Sequence, residues 1–215
     1  YIAFEDHWGN PYGASVMKFN GTNWEYVGTP RFHANARKVS LAFHNDEPCI
    51  AFEDQLGSPY GATVMKFNGT NWEYIGNQRF SSGKAVQIYL LFNNGVPFVA
   101  FSDMSVPGDL FRTSVMKFNG GAWEFVGNRR FSHSAQFLSF YIHDDKPFVL
   151  FMDSTCGYKA SLMSFSGGEW KYVGQPGFSS ASVSDLSLAF HKGAPIAAFG
   201  GGKASVMKYE IKRGP

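Results

Sequence analysis

The 215-residue sequence is 44% hydrophobic and 17% charged, with a formal net charge of +2, which marks an ordered globular chain long enough to bury a substantial core. The near-neutral balance, without a long basic run, argues against nucleic acid as a partner, and no apolar stretch reaches the length that spans a bilayer. Aromatics are abundant at 17%, with 22 Phe, 10 Tyr and 5 Trp, so much ring surface must be buried or presented.

The chain opens on a strand, Tyr1-Ile2-Ala3-Phe4, and after a loop continues into Val16-Met17-Lys18-Phe19 and a third strand from Trp24. The second of these segments returns as Val64-Met65-Lys66-Phe67, Val115-Met116-Lys117-Phe118, Leu162-Met163-Ser164-Phe165 and Val206-Met207-Lys208-Tyr209. Trp24, Trp72, Trp123 and Trp170 follow one another at 48, 51 and 47 positions, and Pro48, Pro97, Pro147 and Pro195 at 49, 50 and 48. A period of about fifty built from strand-like runs is a propeller signature, whereas helical repeats run shorter and show helical periodicity.

The second unit displays the full pattern. Strand A is Val39-Ser40-Leu41-Ala42-Phe43, strand B Cys49-Ile50-Ala51-Phe52, strand C Thr63-Val64-Met65-Lys66-Phe67 and strand D Trp72-Glu73-Tyr74-Ile75. All are rich in aromatic and β-branched residues and bounded by turn formers. Asn68-Gly69 between C and D reads as a type I′ hairpin, repeated at Asn20-Gly21 and Asn119-Gly120 and weakly at Ser166-Gly167. The predicted fold is therefore an all-β propeller of about five four-stranded blades in a single domain, residues 1–215. The blade segments are 1–28, 38–77, 86–127, 136–174 and 184–209. The first lacks strand A and the last lacks strand D. The sequence is compatible with part of a larger propeller, with a five-blade ring whose end blades are thin, or with a strand-swapped assembly that covers the open edges.

The C–D and A–B turns keep constant length, while the B–C loop varies: Asp6 to Val16, Asp54 to Val64, Asp103 to Val115 and Asp153 to Leu162 span 10, 10, 12 and 9 positions. Length variation collects where scaffold constraint is weakest, so the B–C/D–A face is the expected binding face. Its candidate ligand-binding residues are Asp6, Trp8, Tyr12, Asp54 and Tyr60 from B–C loops and Arg31, Arg79 and Arg130 from D–A loops. Aromatic rings beside Asp and Arg suit sugars, whose apolar faces stack on rings and whose hydroxyls take hydrogen bonds. Competing structural roles are a turn cap for each Asp after strand B and an interblade plug for each D–A loop Phe. Trp8 has no counterpart among Leu56, Ser105 and Thr155 of the other units.

The sequence reading expects no catalytic residues and no enzyme, because the inner A strands carry a lone acidic residue, Asp185, where glycosidases place paired carboxylates. It expects no cofactor and no metal: His44, His143 and His191 recur at the end of strand A, but as turn residues, and no loop has a calcium spacing. Cys49 and Cys156 lie in non-adjacent repeats and are expected to stay unpaired.

The Val-Met-Lys-Phe-Asn-Gly-x-x-Trp-Glu unit resembles repeats of secreted bacterial β-propellers. More loosely, Asn71-Trp72 with Ile75-Gly76 and Asn23-Trp24 with Val27-Gly28 resemble the tachylectin family of five-bladed lectins. That resemblance implies a non-catalytic, lectin-like module, extracellular or at the cell surface, with glycans or glycoconjugates as partners. The Arg-Phe-Ser and Gly-Phe-Ser loops depart from the Gly-Gly-Trp segment of that family. The alternative is a structural or protein-interaction propeller that forms homo-oligomers through unpaired terminal strands.

Overall fold

The computed structural model describes residues 1–8, 11–106, 108, 111–133 and 135–209, with the side chains of 135 and 136 excepted. Parts of the first and third predicted segments, at 9–10, 107 and 109–110, lie outside the described residues, as do 134 and the tail from 210.

Five antiparallel sheets follow one another along the chain. The first holds β1 (Ile2–Asp6), β2 (Gly13–Phe19) and β3 (Trp24–Tyr26), with a two-residue β4 (His33–Ala34) also paired to β2. The second is β5 (Ala36–His44), β6 (Glu47–Asp54), β7 (Gly61–Phe67) and β8 (Trp72–Tyr74). The third is β9 (Ala85–Asn93), β10 (Val96–Asp103), β11 (Arg112–Phe118) and β12 (Trp123–Phe125). The fourth is β13 (Ala135–His143), β14 (Lys146–Asp153), β15 (Lys159–Ser166) and β16 (Glu169–Tyr172). The fifth is β17 (Ser184–His191), β18 (Ala194–Gly200) and β19 (Ser205–Lys208). Strands are adjacent in chain order, the up-and-down meander of a propeller blade. Among the described residues the first sheet holds no strand A and the fifth no strand D, as the repeat register predicts.

The turn chemistry differs from the expectation in one respect. Gly21, Gly69 and Gly120 stand at φ 101, 95 and 95°, while the asparagines before them and the residues after them are not left-handed. A single left-handed residue, at the glycine, does not fit type I′, which needs two in succession. The asparagine side chain instead caps the turn: Asn68 Oδ1 accepts from Thr70 N at 2.9 Å and Asn71 N at 2.8 Å. Both-positive pairs occur in the A–B turns, at Asn45-Asp46, Asn94-Gly95, Asp144-Asp145 and Lys192-Gly193, and in the C–D turn at Gly167-Gly168.

The chain divides into two compact units, Tyr1–Gly108 with Met116–Glu124, and Asp109–Val115 with Phe125–Pro215. In the first, Ala14, Val16, Ile50, Phe52 and Met65 form a buried cluster. In the second, Leu150, Leu162, Leu186, Leu188 and Phe199 do so. Strand β6 is buried almost end to end, whereas β1 is mostly half-buried.

A repeated aromatic junction locks neighbouring sheets together. Trp72 stacks on Phe32 at 4.2 Å and its Nε1 donates to Val27 O at 2.9 Å. Trp123 stacks on Phe80 at 4.1 Å and donates to Ile75 O at 2.8 Å. In the second unit, Trp170 stacks on Phe131 at 4.0 Å and donates to Val126 O at 2.7 Å. Phe32, Phe80 and Phe131 of the D–A loops are thus interblade plugs, as the repeat suggested. Each junction joins ring burial to a satisfied indole N–H, which a buried Trp requires.

Candidate functional site

The B–C/D–A end of each blade is built on one hydrogen-bonded frame. At the end of strand B an aspartate caps its loop: Asp6 Oδ1 accepts from Trp8 N at 3.0 Å, Asp54 Oδ1 from Leu56 N at 2.9 Å, and Asp153 Oδ1 from Thr155 N at 3.0 Å. The second oxygen accepts from a strand C hydroxyl, Ser15 at 3.0 Å, Thr63 at 3.2 Å or Ser161 at 2.9 Å. That hydroxyl oxygen in turn accepts from the backbone N–H of Arg31, Arg79 or Gly177 at 2.9, 2.8 and 2.8 Å. Arg130 N donates in the same way to Ser114 Oγ at 2.9 Å. Arg31, Arg79, Arg130 and Gly177 all have left-handed φ, at 52, 49, 56 and 62°, a conformation that costs an arginine energy and persists because the relay fixes it.

This frame explains why Asp6, Asp54 and the loop arginines recur. Asp54 also meets Arg79 Nη1 at 3.3 Å, and that guanidinium reaches Leu56 O at 2.8 Å; Arg31 makes the corresponding contact to Trp8 O. In the first unit His33 replaces the serine found at Ser81, Ser132 and Ser179. Its Nε2 faces Asp54 Oδ2 at 3.5 Å, an ion-pair rather than a hydrogen-bond distance. Burial alone would lift the Asp54 carboxyl, but the facing His33, the Leu56 N–H and the Arg79 charge outweigh it and hold it below the usual range.

A second constellation in the first unit does not belong to this frame. Arg37 on β5 and Glu53 on β6 are direct cross-strand partners, so their side chains leave the same face. Glu53 is 1% exposed. Its Oε2 accepts from Gln55 Nε2 at 2.9 Å, while Oε1 has no hydrogen-bond partner; Arg37 Nε is likewise buried and unpartnered. Tyr12 donates from its hydroxyl to Gln55 Oε1 at 3.3 Å, the Arg37 guanidinium lies 4.8 Å over its ring, and His7 stacks on it at 5.3 Å. Glu5 faces His7 at 3.5 Å and accepts from Lys38 N at 2.7 Å, where Lys38 forms a left-handed bulge in β5. Burial pushes the Glu53 carboxyl up, with Gln55 and the Lys84, Arg37 and Lys38 charges opposing it.

Of the sequence-predicted site residues, the structure brings Tyr12 into this cluster and puts Trp8 at the exposed rim of the same B–C loop, 89% exposed. Tyr60 is exposed in the next loop at 40%. The sequence reading missed Arg37, Glu53, Gln55 and Glu5. The available signal was the Glu-Asp pair that closes strand B in the first two units and becomes Ser102-Asp103 and Met152-Asp153 later. Among the described residues no group of three His, Cys, Asp or Glu side chains is placed to hold a metal. His44 and His143 stack on Phe92 at 5.0 Å and on Phe190 at 4.3 Å.

Neither a family model nor a curated protein matches the sequence. Solved structures do. A family 117 glycoside hydrolase from the marine bacterium Zobellia galactanivorans aligns at TM-score 0.56 and 11% identity, over 81% of this chain and 66% of the hydrolase. An exo-β-1,3-galactanase from Clostridium thermocellum aligns at 0.53 and 11%, over 84% of this chain and 47% of the galactanase. A variant of Aleuria aurantia lectin in complex with Fucα1-6GlcNAc aligns at 0.60 and 10%, over 96% of this chain and 70% of the lectin. The chain is a β-propeller. It spans just under two thirds of the first hydrolase and under half of the second. At such identities the likeness fixes the fold, and function has to be argued from the site.

The comparisons correct one expectation. The chain was expected not to be an enzyme, yet glycoside hydrolases stand among the structures that share its fold. The expectation rested on the A strands, which lack paired acids. Carboxylates reach the same end of the blades from the B strands, as Glu5 and Glu53 do, and a reading of strand A alone passes over them.

Proposed function

We propose that the protein interacts with carbohydrate at the B–C/D–A face of its first two blades, through the Tyr12, Arg37, Gln55 and Glu53 cluster with Trp8 at its rim. The observation that carries this reading is the pair of buried, unpartnered polar atoms, Glu53 Oε1 and Arg37 Nε, on adjacent strands beside an aromatic stack. An unmet acceptor and an unmet donor on paired residues suit a hydroxyl, which donates and accepts at once. Rings at Tyr12 and Trp8 supply the stacking that a sugar face requires. The looser likeness to lectin repeats and the kinds of protein that share the fold support the same ligand class, and such a role fits an extracellular or cell-surface setting. Asp6, Asp54, Arg31, Arg79 and Arg130 hold the loops that shape this face, and Tyr60 offers a further exposed ring on the second blade.

The test is a glycan array read with a panel of chromogenic glycosides, so that binding and turnover are measured on one preparation. The expected result is binding to a defined glycan, weakened about tenfold or more in Tyr12→Ala and reduced in Trp8→Ala. Release of sugar by the parent chain and its loss in Glu53→Gln would identify a hydrolase. Neither binding nor release across the panel would overturn the carbohydrate reading.

A further inference from the structure

Among the described residues, the junction that joins neighbouring blades has one copy without its Trp. In the filled ones a D strand Trp stacks on the preceding D–A loop Phe, donates to a backbone carbonyl, and passes close to a left-handed glycine, Gly28, Gly76 or Gly127. A Cβ on those glycines would meet the ring of Phe67, Phe118 or Phe165 at 2.8, 2.7 and 2.5 Å and the indole of Trp72, Trp123 or Trp170 at 3.2, 2.9 and 3.2 Å. Between the fourth and fifth sheets the same parts recur. Gly174 is left-handed at φ 76°, and a Cβ there would meet Tyr209 at 2.7 Å, with no indole beside it. The equivalent plug, Phe178, has an edge contact to Phe199 at 6.2 Å and no stacked ring among the described residues.

The reason is in the sequence. Five positions beyond Phe67, Phe118 and Phe165 stands a Trp, whereas five positions beyond Tyr209 stands Gly214. At this place the described residues leave an apolar cavity of about 90 Å3 lined by Val173, Phe178, Pro195, Ala197, Met207 and Tyr209, among others. Beside it runs β19, whose outer edge is unpaired among the described residues.

We propose that this socket binds a Trp-bearing extended strand from another repeat of the same type, which adds to the edge of β19 as its missing D strand. Strand addition supplies backbone hydrogen bonds along β19, and the pocket for one side chain supplies selectivity. The three filled junctions give the occupant its sequence, Trp-(Glu/Lys)-aromatic-(Val/Ile)-Gly. They also give its register: Trp opposite Tyr209 and the following aromatic opposite Met207, as Phe67 faces Trp72 and Met65 faces Tyr74 in the second blade. The incoming indole stacks on Phe178 and donates to the Val173 carbonyl. The inference stands apart from the carbohydrate reading, because it uses neither the B–C loops nor the Glu53 cluster.

A fluorescein-labelled peptide Asn-Gly-Thr-Asn-Trp-Glu-Tyr-Val-Gly, the sequence of residues 20–28, is titrated with the whole chain and followed by anisotropy. Saturable binding is expected, weaker by about tenfold or more when the peptide Trp is Ala. The Phe178→Ala chain weakens it similarly and the Trp8→Ala chain leaves it unchanged. The comparison of the two peptides needs no variant of the protein, so misfolding of Phe178→Ala does not affect it. Equal affinity of the two peptides, or no saturation, overturns the proposal. So does N-acetyl-tryptophanamide that competes as strongly as the unlabelled peptide, since the site would then hold an indole without adding a strand.

Discussion

Asp153 shows how much one repeated side chain is asked to do. Its two oxygens accept from Thr155 N and Oγ1, Ser161 Oγ and Tyr172 Oη. Burial raises its carboxyl, but these hydrogen bonds outweigh burial and the net displacement is downward. A lowered folded value stabilises the fold above the ordinary aspartate value of about 3.9, and that contribution is lost as pH falls through the folded value. Urea midpoints from pH 2.5 to 7 should therefore fall steeply below about pH 4, and Asp153→Asn should flatten that limb while lowering stability at neutral pH. Glu53 has the opposite sign. Its carboxyl is raised by burial, so ionisation penalises the fold increasingly as pH rises past the ordinary glutamate value of about 4.3. Glu53→Gln should raise the melting temperature at pH 7 and leave it unchanged at pH 3.5; a loss at pH 7 would show that its positive neighbours outweigh burial. The Asp turn caps were legible in the sequence because a short acceptor after a strand has few other uses. Glu53 was not, since its partner Arg37 is set by cross-strand register, which no local pattern displays.

At the scale of the element, strand D is only three residues long in the first three sheets, too short to hold itself in place. Its anchor is the tryptophan. Trp123→Ala removes the stack on Phe80 and the bond to Ile75 O. It should cost about 3 kcal/mol, near the lower end for aromatic truncation since the ring is part-exposed. Trp24→Ala should cost well under half of that, because Trp24 is 47% exposed and its ring meets Phe19 of its own hairpin. Denaturant midpoints of the two variants make the comparison directly; equal losses would mean that the interblade junction contributes nothing beyond the hairpin. The repeat of Trp near every fifty positions was plain in the sequence. What it packs on was not, because stacking partner and tryptophan are about forty residues apart, Phe32 and Trp72 for one. The turn types were misread for a related reason. Asn-Gly tolerates left-handed backbone, but the Asn side chain competes for the turn N–H groups and leaves only the glycine left-handed.

For the whole molecule, one short sequence in different surroundings shows what the repeat determines and what it leaves open. Val-Met-Lys with a following aromatic occurs in the first, second, third and fifth sheets. Val16, Val64 and Val115 are each 1% exposed, whereas Val206 is 72% exposed. The period therefore determines strand order in every sheet, and burial follows from the company each sheet keeps. Function obeys the same logic. The first four blades share the loop frame in some form, and the unpartnered Glu53 and Arg37 atoms depart from it in the second blade, so the repeat announces the propeller and a departure from it marks the proposed site. A charge placed at equivalent valines separates the two contributions. Val64→Lys buries an ammonium beside its cross-strand partner Ala51 and should cost several kcal/mol, enough to unfold a marginal domain. Val206→Lys keeps its charge in water and should change the urea midpoint by no more than about 0.5 kcal/mol in free energy. It also places a lysine on β19, whose outer edge is unpaired among the described residues, a device that discourages edge-to-edge pairing. If copies of the chain associate through that edge, light scattering will show the parent heavier than one chain and Val206→Lys returning towards it. Unchanged mass in the variant would locate any association elsewhere on the surface.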